Sequence, residues 1–293
     1  MRRRIRHVKY RKTRLTIRIV LAMLLVLMVA YPLMEPYWLD IQTTTITGTT
    51  LPSDVKQLRI VYVSDIHESS WPFFTHNRVV ELVRKINSMH ADLVLLGGDY
   101  ATDSDTAIRF FENLPTIQAA YGVYAVLGNH DRTAPESNLA RLRTAMRAAK
   151  VTPLINEVAS VRIGTTDIRI AGVDDMNNGW PELKQVASAV RQDDYVIFLS
   201  HSPEIIPDAL NTVSGDKHRN WYDLGLFGHT HGGQISGLGQ LLGISKVSGR
   251  YERGWIVENK INMLISQGVG TSVLPMRLFC RPQVHLITVK SSK

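Results

Sequence analysis

Cysteine is nearly absent: Cys280 is the only one in 293 residues. It allows no internal disulfide and no thiolate metal cluster, and a lone cysteine reads as a small buried residue. No internal repeat and no long low-complexity tract breaks the sequence. Gly237, Gly239 and Gly243 lack the spacing of a dinucleotide fingerprint, and no helical pattern clearly follows them. Acidic and basic residues are also unevenly spread. Of 34 Lys and Arg, nine lie within residues 1–18 (Arg2, Arg3, Arg4, Arg6, Lys9, Arg11, Lys12, Arg14, Arg18), which leaves 25 against 26 acidic residues elsewhere. The net charge of +8 therefore belongs to the tail. It gives no support to a nucleic-acid-binding body.

The basic tail runs into "IVLAMLLVLMVAYPLM", residues 19–34, which carries no charge. With Tyr37, Trp38 and Leu39 as an interfacial belt beyond Glu35, its apolar character approaches the roughly 20 residues that span a bilayer. A cleaved secretory peptide is the competing reading. No clear small-x-small cleavage site follows, and Arg3–Arg4 resembles a twin-arginine signal only weakly. The expected organisation is a basic cytoplasmic tail (1–18), a membrane anchor (19–39), a polar Thr-rich linker or first strand (40–57) and a folded domain (58–293). The positive-inside rule places that domain on the extracytoplasmic side.

From residue 58 the chain alternates between short β-branched runs and segments of helical period. The runs are 58–64, 92–98, 122–128, 168–174, 195–200 and 223–228. Val79, Leu82, Val83, Ile86 and Met89 form one apolar stripe. Thr133 with Glu136 reads as a capping box, with Pro135 in the first turn of a helix that runs to about 149. After 244 the helical period fades into a strand-rich ending. The pattern predicts an α/β fold with a mixed sheet.

The residues at the carboxyl end of each run carry the chemistry. After "YVS" come Asp65 and His67. After "VLLGG" comes Asp99. After "AVLG" come Asn129, His130 and Asp131. After "VIFLS" comes His201, and after "GLFG" come His229 and His231. Ligands of open α/β sheets bind beyond the carboxyl ends of strands. A single His or Gly-Asp at such a place is usually structural; five placements together point to a site. Imidazole, carboxylate and amide oxygen suit a borderline divalent metal. Asp65, His67, Asp99, Asn129, His201, His229 and His231 are too many for one tetrahedral ion. Two ions about 3.5–4 Å apart, bridged by one carboxylate, would use them. An extended segment would turn His229 and His231 to the same side.

"DIH", "GGD", "GNHD", a later strand-end His and "GHTH" occur here in the order found in the calcineurin-like metallophosphoesterases, and the chain resembles that family over about residues 58–290. The resemblance implies a four-layer αββα sandwich, two sheets flanked by helices, preceded here by one transmembrane helix. It implies two divalent ions (Mn, Fe or Zn): Asp65, His67 and His231 on one, Asn129, His201 and His229 on the other, and Asp99 bridging. It makes His130 a catalytic histidine that stabilises or protonates the leaving group, while a metal-bridging hydroxide attacks phosphorus. "GHTHGGQ" and the N-terminus are similar to the membrane-associated bacterial branch, which holds general phosphodiesterases and enzymes similar to UDP-2,3-diacylglucosamine pyrophosphatases. The expected partners are a phosphoester or diphosphate substrate, lipid-linked or nucleotide-like, and the bilayer; no nucleic acid is expected. The alternatives are a phosphomonoesterase acting on phosphoprotein and a non-catalytic metal-binding module. One departure from the family pattern is Thr102, where some members carry an Asp that orients the catalytic His; Asp131 or Asp103 is the expected substitute.

Substrate contacts are less legible. The apolar loops 69–74, 238–247 and 272–280 either admit an acyl chain, touch the bilayer or bury against the domain. Arg132, Arg277 and Arg281 read as surface arginines or as contacts to a second phosphate. Residues 208–223 read as a polar loop near the site, with His218 solvated.

Overall fold

The computed structural model describes residues 2–48, 51–52, 54–133, 136–218, 220–236, 238, 241 and 249–292. In chain order the elements are α1 (Arg2–Met34), β1 (Asp40–Gly48), β2 (Gln57–Val63), α2 (His76–Ser88), β3 (Leu93–Leu96), α3 (Ser104–Asn113), β4 (Val123–Ala125), α4 (Glu136–Ala148), β5 (Val151–Pro153), β6 (Glu157–Ile163), β7 (Thr166–Gly172), α5 (Leu183–Ser188), β8 (Tyr195–Leu199), α6 (Ile206–Asn211), β9 (Leu224–Phe227), β10 (Gly254–Glu258), β11 (Ile261–Ile265) and β12 (Gln283–Ser291). Among the described residues the strands form two six-stranded sheets, ordered β1-β12-β2-β3-β4-β5 and β10-β11-β9-β8-β7-β6.

The period of two along each strand builds the layers. In β2, Leu58, Ile60 and Tyr62 face the second sheet, where they meet Ile168, Ile170, Ile197, Leu199, Leu224 and Leu226. Val61 and Val63 face the other way, onto the apolar stripes of α2 and α3 (Val79, Leu82, Ile108, Phe111) and onto Leu142 of α4. In β8, Val196 and Phe198 turn to α5 and α6, through Val186, Ala187, Ile206 and Ala209. The result is helices, sheet, sheet, helices: the αββα sandwich. Because inner strands are covered on both faces, they read as unbroken apolar runs rather than as alternating ones.

β2, β3, β4 and β5 are parallel, and so are β7, β8, β9 and β11. Their carboxyl ends gather on one edge of the sandwich, and the candidate site lies there. β12 runs antiparallel to β2, and β1 pairs parallel with β12. Residues 40–48 are thus an integral strand of the first sheet rather than a free linker.

α1 is one continuous helix through the basic tail and the apolar run. Arg14–Tyr37 is a candidate membrane span of 24 residues with mean hydropathy 2.4, and its apolar side chains are exposed rather than packed in a core. The proposed pairing of Thr133 with Glu136 and Pro135 lies outside the described residues. The Thr133 hydroxyl instead accepts from the Ser104 N–H at 3.0 Å. A complete capping box occurs at α3, where Asp103 and Thr106 satisfy each other's backbone N–H. The 208–223 segment packs Trp221 in the third core and enters the amino end of β9, the edge opposite the site. It is therefore not a site loop, and His218 is exposed.

Truncating Ile197, fully buried between the sheets, to Ala is expected to cost about 2–5 kcal/mol. Lys290→Ala on the exposed end of β12 should stay within about 0.5 kcal/mol. Denaturant melts of the full chain in detergent measure both.

Candidate metal centre

Three of the five strands that feed the site, β2, β3 and β9, are followed by chemistry-bearing residues in the left-handed region. Asp65, His67, Asp99, His229 and His231 have φ between +48° and +69°. Residues other than glycine rarely sit there, and such strain persists only where surrounding structure over-determines it. His229 and His231 are therefore not alternate residues of an extended strand. A tight turn carries both, and Thr230 between them is buried, donating to the Glu252 carbonyl. Glycine in the motifs is explained by close approach. A Cβ on Gly128 would lie 2.2 Å from Asp99 Oδ1, and one on Gly228 2.5 Å from Asp65 Oδ2.

The side chains converge. His67 Nε2 and His231 Nε2 are 3.0 Å apart, and Asp65 Oδ1 is 3.7 Å from the latter. His201 Nε2 and His229 Nδ1 are 3.2 Å apart. Asp99 Oδ2 lies 3.4 Å from His67 Nε2 and 3.3 Å from His201 Nε2, between the two groups. Asp65, His67 and His231 form one cluster able to hold a metal ion, and Asp99, His201 and His229 another. Asn129 Oδ1 is buried and has no hydrogen-bond partner, as an oxygen aimed at a cation would be. The donor set fits divalent metal.

Electrostatics agree with that fit at three of the four imidazoles; at His201 burial opposes the charge, but Asp99, Asp65 and Asp175 outweigh it and push the ring well above the usual histidine range. Burial pushes His67 down to about 4 and His229 to about 3, and holds His231 well below the usual histidine range. All three are neutral at pH 7, with lone pairs available to a metal. Burial opposes charge on Asp99, but His201, His67 and His130 around it outweigh that and hold it well below the usual carboxylate range. Burial, with Asp99 nearby, pushes Asp65 up.

A second ring of groups sets these orientations. His201 Nδ1–H donates to the Gly97 carbonyl at 2.8 Å, which leaves Nε2 for the cluster. Glu204 Oε1 lies 3.7 Å from His229 Nε2, on the side of the ring away from His201. Asn178 donates to the Asn129 carbonyl at 2.8 Å. His130 packs edge-on against His67, with ring centroids 4.9 Å apart. Its Nδ1 meets the Thr102 carbonyl at 2.9 Å. A backbone oxygen, not a carboxylate, thus orients this ring. Asp131 is occupied elsewhere, accepting from the N–H groups of Asp99, Tyr100 and Gly128 and so tying two motif loops together. Asp103 is engaged as the cap of α3.

All eight expected residues therefore meet at one edge. Arg281 is exposed, as expected, but the other two arginines differ from expectation. Arg277 is fully buried, not on the surface, and donates to the carbonyls of Gln267, Gly270 and Cys280. It braces the 267–270 turn, whose Gly270 N–H holds the Asp65 carbonyl at 2.7 Å. Arg132 pairs with Asp174 at 3.0 Å, and Arg281 lies over the Trp38 ring. Cys280 is buried and its thiol donates to the His231 carbonyl. Residues 237, 239–240 and 242–248 of the glycine-rich apolar loop lie outside the described residues; Leu238 and Leu241 are exposed. Sequence reasoning missed Glu204 and Gln234, and it placed Arg277 on the surface. The "GGQ" extension of the last motif was the available signal for Gln234. That side chain, fully buried, clamps Ser272 and Leu274 through three hydrogen bonds.

Comparison with known proteins adds an independent line. The family model described as calcineurin-like phosphoesterase matches residues 58–233, more than half the chain. The chain is 27% identical to the metallophosphoesterase YkuE of Bacillus subtilis (strain 168) over 88% of each protein. It is 32% identical to YpbG of the same organism, covering 79% of this chain and 81% of that one. A Bos taurus protein named transmembrane protein with metallophosphoesterase domain is 27% identical over 86% of this chain and 57% of its own length.

Because a carboxylate behind a metal-binding imidazole typically contributes about 10–100-fold in metal affinity, Glu204→Ala is expected to weaken Mn²⁺ binding by that order. Calorimetric titration of the metal-depleted chain reads this; unchanged affinity would remove Glu204 from the site.

Proposed function

The chain belongs to the calcineurin-like phosphoesterase family, and from that premise we propose that it is a metal-dependent phosphoric ester hydrolase, a phosphodiesterase or pyrophosphatase with a dinuclear site. The observation that carries the dinuclear reading is the position of Asp99 Oδ2, 3.4 Å and 3.3 Å from histidines of the two separate clusters. Asp65, His67 and His231 would hold one divalent ion, Asn129, His201 and His229 the other, with Asp99 shared. Mn, Fe and Zn all suit this donor set. When bound, such ions neutralise phosphoryl oxygens and lower the pKa of water.

The chain's own residues do the rest. His130 is the catalytic histidine. With Nδ1–H committed to the Thr102 carbonyl, its Nε2 is left to face a leaving oxygen. Asp131 fixes the backbone of Asp99, so the shared carboxylate does not move as charge develops. Glu68 and Ser69, directly after His67, line a cleft of about 460 Å³ with His76, Thr106, Arg109, Phe110 and Asn113. That cleft suits the part of the substrate beyond the phosphate.

α1 is read as an uncleaved anchor, supported by the exposed apolar surface of the helix and by the transmembrane relative. The cation-rich tail would stay in the cytoplasm and the domain would lie outside. A lipid-linked phosphodiester or diphosphate is the substrate class this arrangement favours.

The test uses the full chain in detergent, supplied with Mn²⁺, on bis-p-nitrophenyl phosphate and p-nitrophenyl phosphate side by side. Diester cleavage is expected, abolished by chelator and by Asp99→Asn, and reduced about 10²–10⁴-fold in kcat by His130→Ala. Preference for the monoester would make the protein a phosphomonoesterase. Hydrolysis indifferent to chelator and to both substitutions would end the proposal.

A further inference from the structure

The anchor does not hang from the domain on a tether. The candidate span ends at Tyr37, and β1 begins at Asp40. The root between them is built into the fold. Glu35, fully buried, accepts from the N–H groups of Phe279 (2.9 Å) and Cys280 (2.7 Å). The Pro32 carbonyl, in the last turn of α1, accepts from the Arg277 N–H at 2.9 Å. The Arg78 guanidinium lies over both the Tyr37 ring (4.6 Å) and the Phe74 ring (4.2 Å), joining the root to the loop after His67.

Strand direction then decides which edge of the domain meets the root. Asp40 pairs with Gln283, and His285 with Tyr62 near the end of β2. The start of β1 therefore lies level with the end of β2, just ahead of Asp65 and His67. The helix leaves from the same edge that carries the metal residues.

That edge is also apolar where it borders the root. Trp71 is 78% exposed, Phe279 72% and Val273 62%. Phe279 packs beside Tyr31, with ring centroids 5.8 Å apart. Tyr31 is six residues inside the end of the span, about 10 Å along the axis, at 1.5 Å per residue to Met34 and about 2 Å through the 3₁₀ turn of Glu35–Tyr37. The loop tip thus reaches the depth at which interfacial elements insert, about 5–10 Å. Gln234 and the Cys280 thiol fix the same loop to the His231 turn. Trp38, with Arg281 over its ring, adds the aromatic and cation usual at a headgroup layer. Tyr121, Trp180, Val213 and Val257 are exposed outside these loops, as scattered surface apolar residues commonly are.

We propose that this collar — Tyr37, Trp38, Trp71, Val273 and Phe279 — seats in the lipid interface, so that the metal centre opens at the bilayer surface rather than away from it. The inference rests on the anchor reading of α1. It makes phosphate groups at headgroup height the natural substrates and disfavours long soluble polymers.

The full chain is reconstituted in phosphatidylethanolamine–phosphatidylglycerol vesicles with nitroxide labels at Trp71→Cys, Val273→Cys and Phe279→Cys. Leu25→Cys in α1 is the immersed reference and Lys260→Cys, at the turn on the opposite edge, the aqueous one. The unsubstituted chain, whose Cys280 is buried, is the blank. The ratio of relaxation by oxygen to relaxation by a water-soluble nickel chelate should exceed that at Lys260 several-fold at all three collar sites. Ratios equal to that at Lys260, with Leu25 immersed, would overturn the seat and leave the anchor standing. An aqueous Leu25 would overturn both. Collar labels shielded from oxygen and nickel alike would mean that a protein surface, a second copy included, covers the collar instead.

Discussion

The carboxylate of Asp99 is the constraint on which the rest depends. It is buried where the two sheets meet, 3.4 Å from a histidine carried after β2 and 3.3 Å from one carried after β8. A charge so placed is costly unless it is compensated from every side. The fold supplies that compensation in layers. Imidazoles face one oxygen, the His130 backbone N–H meets the other at 2.9 Å, and Asp131 holds the Asp99 N–H from behind. The packing of two sheets face to face is what brings these groups within reach, since neither sheet alone contributes more than part of the set.

Parallel strands determine where the groups gather, and left-handed backbone at the strand ends determines how tightly. Five of the converging residues occupy that strained region. Buried strands running into them are stiff enough to hold it, and glycines at 128 and 228 make room where a Cβ would strike Asp99 or Asp65. Rigidity in this edge extends outward. Arg277, Gln234 and Glu35 tie the metal-site turns to the 272–280 loop and that loop to the end of α1.

Much of this was legible in the sequence. Apolar runs with a ligand type after each one identify both the strands and the edge, because a buried parallel strand leaves a continuous signature and its terminus is where side chains become free. The resemblance of "GNHD" and "GHTH" to one family then supplied the layering. What stayed hidden works through backbone atoms or distant partners. The Thr102 carbonyl that orients His130 has no side-chain signature. Glu35 meets Cys280 from 245 positions away, and Arg277 acts mainly through backbone carbonyls, with the Cys280 sulfur besides, so neither role has a sequence signature. β5 has three residues, too few for a period, and β6 alternates on an exposed edge of its sheet. The two histidines of the last motif face the site through a turn, a geometry that strand periodicity does not predict.

Two metal ions sharing Asp99 are the centre of this account. Manganese-loaded full chain, counted by plasma emission and examined by electron paramagnetic resonance, tests it most directly. Two Mn²⁺ per chain with the multiline spectrum of an exchange-coupled pair, about 3.5–4 Å apart, is the expected result. A single ion per chain, or two with uncoupled six-line spectra, would contradict a shared carboxylate and with it the dinuclear hydrolase.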